Sequence, residues 1–318
     1  MNYEEINSVC RILFAAIFLI KQFYSYKCFD FHWAHINSFE KKGIKTLLLL
    51  KFVTTVFVLF GFFTFINSII LYCLYFYTYW KSSSFGLEDV YFSIFSFYNI
   101  FANNYLYSID NLFNLSIFNY SILINPLPEI ILALLLSLTF FSAAIEKLNS
   151  KIWREGRGVY LFFVNPKCKK INTNLLTNNF NLMKILNYLM ILSQLVLLFL
   201  LIFVPIKYLI INWVILFLFV IILIVFFQFA WLSECCLIIL FVIGNLFFNY
   251  PELTVYKFLI EFYSNSHLIE KIILSSICFF CLLTLISLLF PVEYLKKDKS
   301  YYFTKFILHT KFFSRVIF

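Results

Sequence analysis

The feature that most constrains this chain is a series of apolar blocks with no charge in them. Phe52–Trp80, Ile130–Ile145, Ile185–Ile206, Tyr208–Ser233, Cys235–Pro251 and Ile272–Val292 contain no Asp, Glu, Lys or Arg, and charged residues sit at their borders. A helix needs roughly 17–25 apolar residues to cross a bilayer. A soluble domain would be about a quarter charged, whereas only 13% of these 318 residues are charged and 63% are hydrophobic. The chain therefore reads as an all-α, polytopic transmembrane helix bundle of about six to eight spans. Tyr208–Tyr250 is long enough for two of them, with a break near "FQFAW". The N-terminal segment around 9–26 and the stretch 254–270 read either way.

Two regions differ from simple spans. Val90–Ser121 is aromatic but dotted with Ser and Asn, which reads as interfacial, as packed against protein, or as one poor span. Lysine and arginine cluster at 41–45, at 147–170 and in a tail from 296 to 315. By the positive-inside rule these clusters lie on the side of synthesis. The net charge of +9 follows from that asymmetry and from attraction to anionic lipid, and requires no nucleic acid.

Composition also speaks to origin. The chain holds 45 Phe and 21 Tyr but only 6 Gly and 6 Pro, and Arg occurs only at 11, 154, 157 and 315. Residues with AT-rich codons dominate, which points to an organelle genome. Glu4 and Glu5 are foreign to a basic, acid-poor transit peptide, so no removable targeting segment is expected.

Soluble catalytic motifs are missing from the sequence: it has no Gly-rich phosphate loop, no H-E-x-x-H and no nucleophile elbow. "CFDFHWAH" groups Cys28, Asp30, His32 and His35, which reads as an interfacial segment anchored by Trp33 rather than a metal site. Cys278 and Cys281 lie within an apolar run and lack the second pair that a zinc or redox motif needs. Glu129, behind Pro126 and Pro128, reads as a helix N-terminal acid facing the positive end of the dipole.

Glu234 is different. A carboxylate inside a span costs on the order of 2.5–3.5 kcal/mol, and its default reading is an ion pathway or a buried pair. The alternative is that Glu234 ends a span and reaches the headgroups. Lys257, on the following segment, is the basic partner expected for it, and Glu252 stands between them.

These residues carry a resemblance. "PLPEIILALLLSLTF" resembles the opening helix of chain 2 of proton-pumping NADH:ubiquinone oxidoreductase, respiratory complex I. "WLSECCLIILFV" is similar to that family's Leu-x-x-Glu-Leu-x-Ser-Leu helix, with Glu234 at the acid and Cys235 and Cys236 departing from the pattern. "YPELTVYKFLI" resembles its Ser-x-Glu-Ala-x-x-Lys-Tyr segment, with one extra residue between Glu252 and Lys257. The resemblance implies an antiporter-like half module over 125–292, a membrane-associated N-terminal extension over 1–124 and a basic matrix-facing tail over 293–318. It implies the mitochondrial inner membrane, proton translocation coupled to NADH:ubiquinone electron transfer, and Glu234, Lys257 and Glu252 as proton-pathway candidates. It implies partners among the other membrane-arm subunits, including a separate chain carrying the second half, as in ciliate mitochondria. No redox cofactor is expected in this chain, and bound phospholipid such as cardiolipin is. "LSECCLIILFVIGNLFF" also resembles the Ser-Glu helix of cytochrome oxidase subunit 3, which makes a subunit of that type, or a structural respiratory subunit, the alternative. A secondary transporter would show inverted repeats or Gly/Pro-broken helix pairs, and the sequence has neither.

Overall fold

The computed structural model describes residues 3–27, 38–81, 87–102, 106–113, 126–164, 178–226, 232–265, 271 and 275. The described residues are helical, with no strand among them. In chain order the helices are α1 (Tyr3–Lys27), α2 (Ser38–Phe60), α3 (Thr64–Lys81), α4 (Leu87–Phe101), α5 (Ile109–Leu112), α6 (Leu127–Asn149), α7 (Lys151–Arg154), α8 (Gly158–Val164) and α9 (Phe180–Phe203). A 3-10 turn, Ile206–Leu209, leads into α10 (Ile210–Phe226), followed by α11 (Leu232–Asn249) and α12 (Val255–Asn265).

Five helices among the described residues are long and apolar enough to cross a membrane: Glu4–Lys27, Lys42–Phe60, Leu127–Asn149, Phe180–Phe203 and Ile206–Val225. Thr64–Tyr75 and Cys236–Asn249 are shorter apolar helices. The outer faces suit lipid rather than water. Ile185, Leu192, Phe203 and Ile211 are all more than half exposed, a surface that a soluble protein would have to cover.

The chain divides into two compact units. The first comprises Met1–Leu132 and Glu234–Asn245. Here α1 and α2 run antiparallel. Gln22 Nε2 meets Thr55 Oγ1 at 3.4 Å, the Lys45 ammonium lies 5.1 Å from the Tyr26 ring, and Arg11 reaches Thr64 just past the other end of α2. Between α1, α3 and α4 lies an aromatic core. Phe14 stacks on Phe95 at 3.8 Å, and Phe18 touches Phe92 at 4.2 Å and Tyr75 at 4.9 Å.

The second unit comprises Ala133–Ser233 and Leu246–Phe318. Its organiser is α9, whose buried face carries Met183, Asn187, Met190, Gln194, Leu197 and Leu201 at helical spacing. Asn212 Nδ2 on α10 donates to the Ser193 carbonyl at 3.2 Å, and Trp213 packs on Phe217 and Phe247.

Three sequence readings change. The charge-free stretch Phe52–Trp80 is not one span, because the chain turns at Gly61–Phe63 between α2 and α3. Gly61 adopts φ +68 there, which glycine permits without a Cβ penalty. Charge was a poor guide at this point, since the candidate span Lys42–Phe60 contains Lys45 and Lys51. The N-terminal segment forms a full-length apolar helix. Of the alternatives for Val90–Ser121, packing against protein holds for α4, where Tyr91, Phe92, Ile94, Phe95 and Tyr98 are buried. The expected break near "FQFAW" lies outside the described residues. The expected span Ile272–Val292 apart from Ser275, the cysteine pair within it and the cluster 28–35 lie outside the described residues.

Candidate functional site: charges buried among the spans

Among the described residues of the first unit, buried charges stand at three places. One is the turn joining α2 to α3. The first amides of a helix have no partner in their own helix, and Asp110 supplies one. Its carboxylate accepts from the N–H of Phe63 at 2.8 Å and of Thr64 at 3.0 Å. The Thr64 hydroxyl donates to Asp110 at 3.4 Å and accepts from Arg11 Nη1 at 3.4 Å, linking the two buried charges through one oxygen. Arg11 also donates to the Tyr107 carbonyl, and Ser8 Oγ accepts from the Leu106 amide at 3.1 Å. Arg11 and Asp110 are both fully buried. A Cβ on Gly61 would collide with Arg11 Nη1 and Ser108. This bonding fixes a turn.

The second place is Glu129. It lies in the first turn of α6, as its position after two prolines suggested, but it does more than cap the helix. It is fully buried, and its Oε1 accepts from Asn7 Nδ2 of α1 at 2.9 Å and from the Tyr98 hydroxyl of α4 at 3.2 Å. The third is Lys51, buried midway along α2, with its ammonium 4.1 Å from the Tyr75 ring centroid. The negative face of an aromatic ring is a fitting neighbour for a desolvated cation.

Among the described residues of the second unit the buried charge is Lys147, in the last turn of α6 and 1% exposed. Nζ donates to Gln194 Oε1 on α9 at 2.6 Å and lies 5.2 Å from the Trp153 ring. The "KIWREGRG" segment is fastened over this point. Asn187 Nδ2 donates to the Trp153 carbonyl at 2.9 Å, Asn187 Oδ1 accepts from the Val159 amide at 3.3 Å, and the Tyr188 hydroxyl donates to the Arg154 carbonyl at 2.8 Å. Gly158 lies so close to the Trp153 ring that a Cβ would overlap it. Trp153 thus forms one wall of the lysine's site, and Ala144, Met183 and Met190 belong to the same buried cluster.

The residues singled out by sequence fall elsewhere. Glu234 belongs to α11, near the first described residue of that helix, Leu232. Its side chain lies outside the described residues. Lys257 is exposed in the first turn of α12. Glu252 is exposed in the turn before α12, and its Oε1 accepts from Lys207 Nζ at 2.7 Å. Two backbone bonds close the same corner, from Ile206 N to Leu253 O and from Lys207 N to Pro251 O.

Lys147, Lys51, Arg11 and Asp110 were not expected as sites. Lys147 read as part of a basic loop because it borders an apolar run. One signal was present: Asn187 and Gln194 are amides seven positions apart in the charge-free run Ile185–Ile206. That spacing places both on one helix face, and a polar face inside a span calls for polar partners on a neighbour.

No protein family, curated protein or solved structure matches the chain.

Proposed function

We propose that this chain is a membrane-arm subunit of a proton-translocating respiratory assembly. It would be of the kind that chain 2 of complex I represents, seated in the mitochondrial inner membrane. In this reading it carries no redox centre. It contributes protonatable side chains within the bilayer and acts with a separately encoded chain holding the rest of the module. The motif order from "PLPEIILALLL" through Glu234 to Lys257 supports the family assignment.

The single observation that carries the mechanistic part is the Lys147–Gln194 contact. Ionisable residues within spans are expensive and by default functional. A lysine nitrogen donates to an amide oxygen whether it bears three protons or two. The 2.6 Å contact can therefore persist while the site gains and loses a proton. The arrangement suits a station for protons. Glu129, on the same helix and held by Asn7 and Tyr98, is a second candidate station. Glu234 is a third, by its place in the motif.

The second reading is a structural respiratory subunit, of the cytochrome oxidase subunit 3 type or another. The Arg11–Thr64–Asp110 bonding favours it, because charge is spent there on fixing a turn. Native electrophoresis of gently solubilised membranes separates the two. Mass spectrometry locates the chain, and parallel lanes are stained for NADH dehydrogenase and cytochrome oxidase activity. Migration with the NADH-active band is the expected result. Migration with the oxidase band would overturn the assignment.

A further inference from the structure

We infer that α12 is an interfacial helix: it lies along the membrane surface, with Tyr256, Ile260 and Tyr263 turned to the acyl boundary and Lys257, Glu261 and Ser264 turned to water. Its sequence, "VYKFLIEFYSN", divides into three stripes at helical spacing. Val255 and Phe262 are buried, with Phe258 and Leu259 half-buried between them, so the first stripe packs on protein. Tyr256, Ile260 and Tyr263 are spaced by four and three and are 37%, 65% and 48% exposed. Lys257, Glu261 and Ser264 are spaced in the same way and are also exposed. A helix standing in water has no use for the second stripe. A helix crossing hydrocarbon bears the third only at high cost. A helix at headgroup level, with one face in the acyl boundary and one in water, uses both.

The second unit holds the start of α12 at the depth this requires. Phe180–Phe203 and Ile206–Val225 are candidate spans, so the corner between Phe203 and Ile206 lies at a membrane boundary. The approach to α12 is tied to that corner. Ile206 N donates to Leu253 O at 3.0 Å, Lys207 N donates to Pro251 O at 2.9 Å, and the Tyr256 ring lies 6.2 Å from the Phe203 ring. With 11 residues α12 is about 16 Å long, about half the roughly 30 Å that a span must cover. Running back into the hydrocarbon would carry Lys257 and Glu261 with it. Both signs of charge stand around the helix: Lys207 pairs with Glu252 at the corner, Lys257 and Glu261 share the outer stripe, and the Lys271 ammonium lies 5.6 Å from the Tyr263 ring. The apolar stripe, rather than attraction of a net charge to anionic lipid, therefore seats the helix. Two of its three members are tyrosines, which settle at the membrane–water boundary.

The test is photo-cross-linking of the full chain in its own membrane. A benzophenone side chain is placed at one of six positions, 256, 260, 263, 257, 261 or 264, and the adducts are identified by mass spectrometry after irradiation. Lipid adducts are expected from 256, 260 and 263, and their loss is expected at 257, 261 and 264. Lipid adducts from all six would overturn the proposal by showing the helix immersed. Protein adducts from 256, 260 and 263, or none at all, would overturn it by showing that stripe covered by protein or open to water. The unaltered chain gives a second reading that needs no variant. Lys257 is expected to react with a membrane-impermeant amine reagent applied to opened membranes, and its protection would count against the aqueous stripe.

Discussion

Nζ of Lys147 and Oε1 of Gln194 are 2.6 Å apart, with both side chains buried. The bond joins the last turn of α6 to the buried face of α9. Removing the amide leaves a buried cation short of an acceptor, a loss of about 1.5–3 kcal/mol for a bond to a charged group. Gln194→Leu is therefore expected to destabilise the reconstituted chain by about that amount. Lys147→Met replaces the cation with an apolar chain of similar length and is expected to cost less. Equilibrium unfolding in detergent, followed by far-UV circular dichroism, measures both.

Asp110 anchors the first unit from outside the helix that it caps. Asp110→Ala leaves the Phe63 and Thr64 amides and the Arg11–Thr64 contact without their carboxylate. The expected loss is about 2 kcal/mol or more. Asp110→Asn keeps one acceptor oxygen and is expected to lose less. The thermal midpoint in a neutral detergent checks the order of the two variants.

Gly61 is tested in the same way. Its φ of +68 is unfavourable for alanine, and the added Cβ would meet Arg11 and Ser108. Gly61→Ala is expected to cost about 1–3 kcal/mol through backbone strain, with more from the clash. Gly43→Ala is the control, because its Cβ would enter open space. Limited proteolysis compares the two: the Gly61 variant should be cut faster than the Gly43 variant.

The Lys207–Glu252 bridge is short but exposed. Solvent screening and side-chain entropy leave such pairs little net effect. Glu252→Gln is expected to leave the unfolding midpoint unchanged within error. The corner should hold through its backbone bonds from Ile206 and Lys207 to Leu253 and Pro251.

Helix class and several boundaries were legible in the sequence, because bilayer length and proline position act locally. The start of α6 at Leu127, between Pro126 and Pro128, is an example. The turn at Gly61 was hidden, since the run from Phe52 to Trp80 stays apolar through it and a single glycine is a weak stop signal. The buried charges were legible only in part. A lysine bordering an apolar run looks the same whether it enters the headgroups or turns inward to Gln194. Arg11 and Asp110 are 99 positions apart and are linked through Thr64, a pairing that tertiary structure alone specifies. Glu234 is legible as a lone acid in a long apolar run, while its side chain lies outside the described residues.

The central claim is that a charge buried among the spans takes part in moving protons. Its most direct test is the proton-to-electron ratio of the assembled respiratory complex, reconstituted in sealed vesicles and carrying Lys147→Met. The account predicts that the complex still assembles and oxidises NADH while the ratio falls. An unchanged ratio in a fully assembled complex would contradict it and leave Lys147 a structural residue bound to Gln194.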